Sequence, residues 1–366
     1  MPIILTRFLF ICVVIAAAEP SMAAFTFLNV PNATDYAFDS SDDLYISAGP
    51  NIVRYSTVSQ SFLPSFNVGG ALIGISLSPD GTTLAAADGT IQGSNDRVDL
   101  INVSTGSTRA VSFSLSSGED GTFMTAWGND GTLLVDSSFN GTGSVPLRLY
   151  NPSSGSVTNL ALIPNRTVLS ASSDNKTIAI AKPYEGQDSI SAFDVASKSI
   201  VATAPLTFIP SDVAINRNDN QFVAPTYQGA IILNRNGSTF TQQAVIGQYA
   251  SHGPVSAVYS PVADYLFTAE SDYSGIDQGV KVYDATTMKQ VAMLDNYNFP
   301  WDGNDSLTEG WMKVSPDGRW LVVSVANGAR LYDVSAYAVP ETSSMVLMLL
   351  GTAVWNCSRR CCRRRR

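Results

Sequence analysis

Cysteine and histidine are nearly absent from the main part of the chain. The 366 residues include four cysteines, which all lie near the ends, at Cys12, Cys357, Cys361 and Cys362. Residues 24–338 therefore have no internal disulfide, cysteine nucleophile or thiolate zinc site. The single histidine, His252, lies in a Gly-Pro loop, where we interpret it as a turn residue rather than a catalyst. Because the sequence also lacks a Gly-x-Ser-x-Gly motif and a glycine-rich phosphate loop, the usual parts for hydrolytic and redox chemistry are missing.

Charge is also scarce, since charged residues make up only 14% of the sequence. The residues that favour long helices are few, whereas Gly, Ser, Thr and Asn are abundant, which predicts an all-β, turn-rich protein. Between residues 24 and 338 there are 15 basic and 29 acidic side chains, a net charge of −14. A body this acidic repels nucleic acid, so we expect no nucleic-acid partner.

The N-terminus has the pattern of a secretory signal. Arg7 precedes a short apolar run at residues 8–18, and the small residues that a signal peptidase recognises follow at 21–23. We expect cleavage before Ala24, with residues 1–23 as the signal peptide. A retained membrane anchor is disfavoured because the apolar run is well short of about 20 residues.

The C-terminal segment, residues 339–366, has three ordered parts. Val339, Pro340 and Glu341 begin it, and an apolar run follows at residues 345–355. The segment ends in a cluster of arginines: Arg359, Arg360, Arg363, Arg364, Arg365 and Arg366. An apolar run followed by positive charge is typical of a stop-transfer signal. An ordinary tail anchor is therefore one interpretation of this segment.

This tail resembles the PEP-CTERM sorting signal, in which a short motif, an apolar helix and an arginine cluster follow one another. The resemblance implies a Gram-negative bacterium that makes exopolysaccharide, and an exosortase-type processing enzyme that cuts near the motif. It also implies transient membrane association through the tail. The protein would then be released or fixed at the outer cell surface.

Two short signals alternate along residues 35–335. The first is a polar turn between two short strands, at residues 39–42, 78–81, 128–131, 173–176, 217–220, 260–263 and 315–318. The second is a strand that ends in apolar residues followed by one polar residue: Ser56, Asn102, Asn151, Asp194, Asn234, Asp284 and Asp333. Successive copies of the second signal are 40 to 50 residues apart, which is the length of one four-stranded propeller blade.

Seven copies of each signal predict an all-β, seven-bladed β-propeller of four-stranded blades over residues 24–338. The last copy lacks a fourth strand, whereas a spare strand at residues 25–30 precedes the first copy. We therefore expect the N-terminal strand to complete the last blade and close the ring, which also removes an exposed sheet edge.

The repeats resemble those of the seven-bladed YVTN and WD-type propellers. The residues that carry the resemblance are the Ser-Pro-Asp-Gly turns at 78–81 and 315–318, and the Tyr-Asp strand ends at 283–284 and 332–333. Such propellers have many unrelated activities, so the resemblance implies a fold and leaves the function open.

The longest interruptions of the repeat are two acidic and aromatic loops. Rigid scaffolds often bind their ligands through such loops, so we take as candidate ligand-binding residues Asp272, Asp277, Trp301, Asp302 and Asp305. Trp301 could stack on a sugar, although covering a blade edge is the favoured interpretation. A calcium site is a weaker alternative, because the acidic spacing differs from that of known calcium loops. We expect no metal and no other cofactor.

These features favour an exported, non-enzymatic and monomeric propeller that binds a protein or polysaccharide partner at the cell surface. Signal peptidase and an exosortase-type enzyme would process it. Two alternatives remain open. One is a hydrolase that resembles the seven-bladed lactonases, and the other is a purely structural surface protein.

Overall fold

The computed structural model describes residues 24–141, 143–181, 189–247, 254–270, 279–295, 307–325 and 327–338. Nearly all regular structure in these ranges is β-strand, and the helical structure there is one 3-10 turn at Ser335–Tyr337. No helix in the described ranges is long and apolar enough to cross a membrane. The prediction of an all-β, turn-rich protein is confirmed.

The described strands form six antiparallel sheets. Strand β1 (Phe25–Asn29) precedes the first sheet, which contains β2 (Ala33–Phe38), β3 (Leu44–Ser56), β4 (Ser61–Leu77), β5 (Thr83–Gln92), β6 (Asn95–Asn102) and β7 (Thr108–Ser114). The second contains β8 (Glu119–Trp127), β9 (Leu133–Phe139), β10 (Ser144–Asn151) and β11 (Ser156–Pro164). The third contains β12 (Val168–Ala171), β13 (Thr177–Ala181), β14 (Ser189–Asp194) and β15 (Ser199–Pro205).

The remaining three sheets also have four strands each. The fourth contains β16 (Ala214–Ile215), β17 (Gln221–Thr226), β18 (Gly229–Asn236) and β19 (Thr239–Ile246). The fifth contains β20 (Pro254–Tyr259), β21 (Tyr265–Glu270), β22 (Gly279–Asp284) and β23 (Gln290–Asp295). The sixth contains β24 (Leu307–Val314), β25 (Trp320–Val325), β26 (Gly328–Asp333) and, at its edge, β1.

The recurring polar turns join the first two strands of each repeat, as predicted. At Ser78 the hydroxyl donates to Asp80 Oδ1 over 2.5 Å and accepts the Thr83 N–H over 2.9 Å. Gly81 takes a φ of 70°, which glycine adopts without strain. The same serine-aspartate contact recurs between Ser315 and Asp317, at 2.7 Å. Two turns begin one residue earlier than predicted, at Ser172 and Asn216.

The first sheet differs from the prediction. Strand β4 is 17 residues long and pairs with β3 through its first half and with β5 through its second half. Gly69 and Gly70 in its middle have φ values of 89° and 74°, which lets the strand bend between the two partners without ending. Two repeats therefore share one sheet, and the structure has six sheets where the sequence predicted seven separate four-stranded blades.

Strand β1 forms the outer edge of the sixth sheet, where the sequence predicted it. It pairs antiparallel with β26, from Phe25 opposite Tyr332 to Asn29 opposite Gly328. Leu28 is buried, and the guanidinium of Arg330 lies 4.3 Å from the centre of the Phe25 ring. The start of the described chain is thus integrated into the last sheet.

The hydrophobic core lies between successive sheets and continues around the whole ring. Each pair of neighbouring sheets contributes to one shared cluster of buried residues. Representative pairs, in order around the ring, are Leu100 and Trp127, Leu134 and Phe193, Ala181 and Phe222, Ile232 and Tyr259, Phe267 and Leu321, and Leu331 and Tyr36. The last pair joins the sixth sheet to the first, so the ring is closed.

Candidate functional site

The residues that the sequence analysis proposed for binding lie outside the described ranges. This applies to Asp272, Asp277, Trp301, Asp302 and Asp305. The sorting motif of Val339, Pro340 and Glu341 and the arginine cluster from Arg359 to Arg366 also lie outside them, as does His252. The roles assigned to these residues stay predictions. The described residues point to a different region, at the end of the ring where the recurring turns lie.

A central cavity of about 480 Å³ lies on the axis of the ring. Seven strands line it, namely β2, β4, β8, β12, β16, β20 and β24, and each of them leads into one of the recurring turns. The residue two positions before each turn faces this cavity: Ala37, Ser76, Ala126, Ser170, Ala214, Val258 and Lys313. Six of these side chains are small or medium-sized, so they leave the centre open, and Lys313 is the charged member of the set.

Lys313 lies beside a buried carboxylate. Its Nζ is 4.0 Å from Oδ1 of Asp35, which is fully buried, while Lys313 itself is partly exposed. Burial raises the pKa of Asp35, and the charge of Lys313 acts in the opposite direction. Burial also raises the pKa of Asp212 to about 7, although a hydrogen bond from Ser256 and the charge of Lys313 both act to lower it. The Lys313 charge thus offsets part of the burial cost of two carboxylates.

Three buried aspartates connect one repeat to the next. Asp35 Oδ2 accepts the N–H of Ile75 over 2.8 Å, and Asp136 Oδ2 accepts that of Thr167 over 2.6 Å. Asp212 Oδ2 accepts the Ser256 hydroxyl over 2.5 Å and the Ala257 N–H over 3.3 Å. In each pair the acceptor and donor belong to adjacent repeats, so we assign these carboxylates a structural role in holding adjacent repeats together.

The turns surround the mouth of the central cavity and form one face of the ring, here called the turn face. Arg217 lies at this mouth, where it donates to the Val262 carbonyl oxygen over 2.7 Å and pairs with Asp264 at 3.0 Å. Asn175, Pro261 and Pro316 complete the rim. These contacts fix the arginine at the boundary between the central cavity and the neighbouring sheets.

Two further cavities open beside the central one on the turn face. The first, about 550 Å³, lies between the first and second sheets and is lined by Asp80, Arg109, Trp127 and Asp130, among others. The second, about 350 Å³, lies between the fourth and fifth sheets and is lined mostly by polar side chains. Trp127 borders both the first of these and the central cavity, and Arg217 and Tyr259 border both the second and the central cavity. The face therefore has one continuous set of concave surfaces.

Buried ion pairs are a feature that the sequence analysis missed. Three basic residues make such pairs: Arg148 with Glu119, Lys281 with Glu270, and Arg330 with Asp295. Each basic residue lies three positions before the polar residue that ends the third strand of its repeat. Arg148 Nη2 also donates to the Ser114 carbonyl oxygen over 3.0 Å. A basic residue recurs at this position of the repeat, and this recurrence is the signal from which the sequence could have predicted the ion pairs.

The described part of the chain offers surfaces for binding. Within it, no group of three or more His, Cys, Asp or Glu side chains is placed to hold a metal ion. Near the central cavity, Asp35, Asp212 and Arg217 make hydrogen bonds that join neighbouring repeats. Sheets packed in a ring around an open centre define the chain as a β-propeller.

Comparisons with known proteins agree with this class. The chain is similar to a chain of the mitotic checkpoint complex, with a TM-score of 0.62 and 13% identity over 90% of this chain and 99% of that one. It is also similar to the β-propeller domain of Myceliophteria thermophila Cps50 (Swd1), with a TM-score of 0.62 and 11% identity over 85% of this chain and all of that domain. No family model matches the sequence, and no curated protein matches it. The likeness is one of fold.

Proposed function

We propose that the protein is an exported, non-enzymatic β-propeller that binds a protein or glycan partner through its turn face. The observation that best supports this is the grouping of three cavities on that one face. Concave surfaces built on rigid strands are where binding sites usually occur. The similar chain from the mitotic checkpoint complex belongs to an assembly, which is consistent with a scaffold role here.

Export and sorting are part of the same proposal. The secretory pattern of residues 1–23 and the three-part tail of residues 339–366 support it. In this scheme signal peptidase and an exosortase-type enzyme process the two ends, and the tail holds the chain at the membrane until it is cut. The mature propeller then acts as a monomer at the outer cell surface or in the exopolysaccharide layer.

We also propose that the ring contains seven repeat units, two of which are joined in the six-stranded sheet. Seven turns and seven strands around the central cavity support this count. Strand β4 would then serve as the last strand of one unit and the first strand of the next. Replacing Gly69 and Gly70 with alanine should disturb this junction, because both have positive φ values.

The intact mass of the protein recovered from the producing cell tests export. We expect a chain that begins at Ala24 and ends near Glu341. A mass that retains the arginine cluster would instead support an ordinary tail anchor.

For binding, we expect the mature protein to capture a partner on a glycan array or in a pull-down from the surface fraction. Two empty results would favour a purely structural protein, and turnover of simple lactones would favour the enzyme alternative.

A further inference from the structure

The cavity between the fourth and fifth sheets has an unusual lining, and we name it the amide cavity. Among its 14 lining residues are four asparagines and two glutamines: Asn216, Asn218, Asn220, Asn234, Gln221 and Gln243. A side-chain amide offers both hydrogen-bond donors and an acceptor. The volume of about 350 Å³ lies at the lower end of the range for small-molecule sites, about 300–1,000 Å³. The cavity thus suits a small ligand with many hydrogen-bonding groups.

Two polar atoms of the lining residues lack a hydrogen-bond partner among the described residues. They are Gln221 Oε1 and the hydroxyl of Tyr259. Gln221 and Tyr259 are only 8% and 6% exposed. Buried polar groups are nearly always paired in folded proteins, because an unpaired one retains its full desolvation cost. A ligand that satisfied these atoms would remove that cost.

The orientation of the Gln221 amide is fixed by a neighbour. Its Nε2 donates to Gln243 Oε1 over 2.8 Å, so Oε1 is the end left unpaired. The unpaired set is therefore one acceptor on Gln221 and the Tyr259 hydroxyl, which can donate or accept. A ligand hydroxyl group can donate and accept, so it can pair with either atom.

The charges around the cavity are nearly balanced. Arg217 pairs with Asp264 at 3.0 Å. The guanidinium of Arg235 lies over the Phe222 ring, on the side of the fourth sheet that faces the third, where its charge acts on the carboxylates of Asp194 and Asp219. An anion such as phosphate would meet the carboxylate of Asp264 and an arginine that this carboxylate already pairs with. Charge therefore favours a neutral ligand.

We infer that the amide cavity binds a neutral saccharide unit through Gln221 and Tyr259. This deepens the proposed function, since it rests on the binding role of the turn face and specifies a glycan as the ligand. Tyr259 also borders the central cavity, so a longer glycan chain bound at the amide cavity would extend toward the axis of the ring.

Calorimetric titration of the mature protein with neutral mono- and disaccharides tests the inference, with a uronic acid and inorganic phosphate as charged probes. We expect at least one neutral sugar to bind and both charged probes to fail. Tyr259→Phe should weaken that binding about tenfold without lowering the melting temperature, because the lost hydroxyl has no partner in the free protein. Gln221→Met should weaken binding similarly.

Tyr227→Phe is the matched control. Tyr227 is 54% exposed and does not line the amide cavity, so this variant should bind as the unmodified protein does. Equal binding by the Tyr259→Phe protein, or binding of phosphate in place of sugar, would overturn the inference. If no sugar binds but the pull-down still captures a protein, the inference is wrong and the proposed binding role stands.

Discussion

The ammonium group of Lys313 lies 4.0 Å from Oδ1 of Asp35, on the neighbouring first strand of the ring. The same charge also acts on Asp212. Among the seven residues at this position around the central cavity, Lys313 is the one that is charged. A single lysine therefore contributes to the electrostatic balance of two buried carboxylates that hold adjacent repeats together.

Replacing Lys313 with methionine should destabilise the protein in a pH-dependent way. We expect a loss of about 1 kcal/mol at pH 8, because Lys313 is partly exposed and its ion pair is correspondingly screened. At pH 5 the loss should shrink, since the carboxyl groups that the lysine offsets then carry less charge. Urea denaturation at both pH values measures the difference. Equal losses at pH 5 and pH 8 would show that the lysine acts through packing alone.

The buried aspartates should make the unmodified protein more stable in mild acid than in base. Burial raises the folded-state pKa of Asp212 to about 7 and raises the pKa of Asp35 and Asp136, whereas an unfolded aspartate titrates near 3.9. The folded state therefore binds more protons between these values. The stability that these groups contribute is fully present below about pH 4, and it is lost as the pH rises through about 7.

Melting temperatures measured from pH 5 to pH 8 test this dependence. We expect a fall toward pH 8 in the unmodified protein and a shallower fall in Asp212→Asn, which cannot ionise. That variant should also lose about 1 kcal/mol overall, because both Asp212 oxygens accept hydrogen bonds and an amide offers only one acceptor. If the melting temperature of Asp212→Asn falls with pH as steeply as that of the unmodified protein, other groups cause the pH dependence.

The sequence was sufficient for the order of turns and strands and for the position of the N-terminal strand. Ser78, Asp80 and Gly81 make the contacts that their types predict, because turn chemistry is local. The sheet count was not predictable, since it depends on whether β4 bends or breaks at Gly69 and Gly70. The cavities also escaped prediction. Gln221 and Tyr259 are 38 residues apart, and their proximity follows from the packing of two repeats.

Strand β1 should contribute more stability than its exposed edge position indicates. Leu28 is 1% exposed and packs with residues of the first and sixth sheets, so Leu28→Ala should cost about 2–5 kcal/mol. Deleting residues 24–30 should cost more, since the edge of β26 would lose all its hydrogen-bond partners on that side. Leu162→Ala is the control, because Leu162 lies on an outer strand and is 73% exposed. A deletion variant with an unchanged melting temperature would refute closure by β1.

Removing only Arg148 from its ion pair with Glu119 should destabilise the protein strongly, whereas removing both charges should destabilise it less. Both side chains are buried, and Arg148 Nη2 lies 2.7 Å from Glu119 Oε2. Arg148→Met leaves a buried carboxylate without its cation, so we expect a loss of about 3–5 kcal/mol in urea denaturation.

Adding Glu119→Gln to that variant should recover a substantial part of the loss, because the second change removes the uncompensated charge. Asp96 lies 4.0 Å from the same guanidinium, and burial already raises its pKa to about 6. Loss of Arg148 should raise that pKa further, so the remaining deficit of the double variant should be smaller at pH 5 than at pH 8. A double variant that is less stable than Arg148→Met would show that Glu119 stabilises the sheet through its other hydrogen bonds, such as the one from the Ser116 N–H.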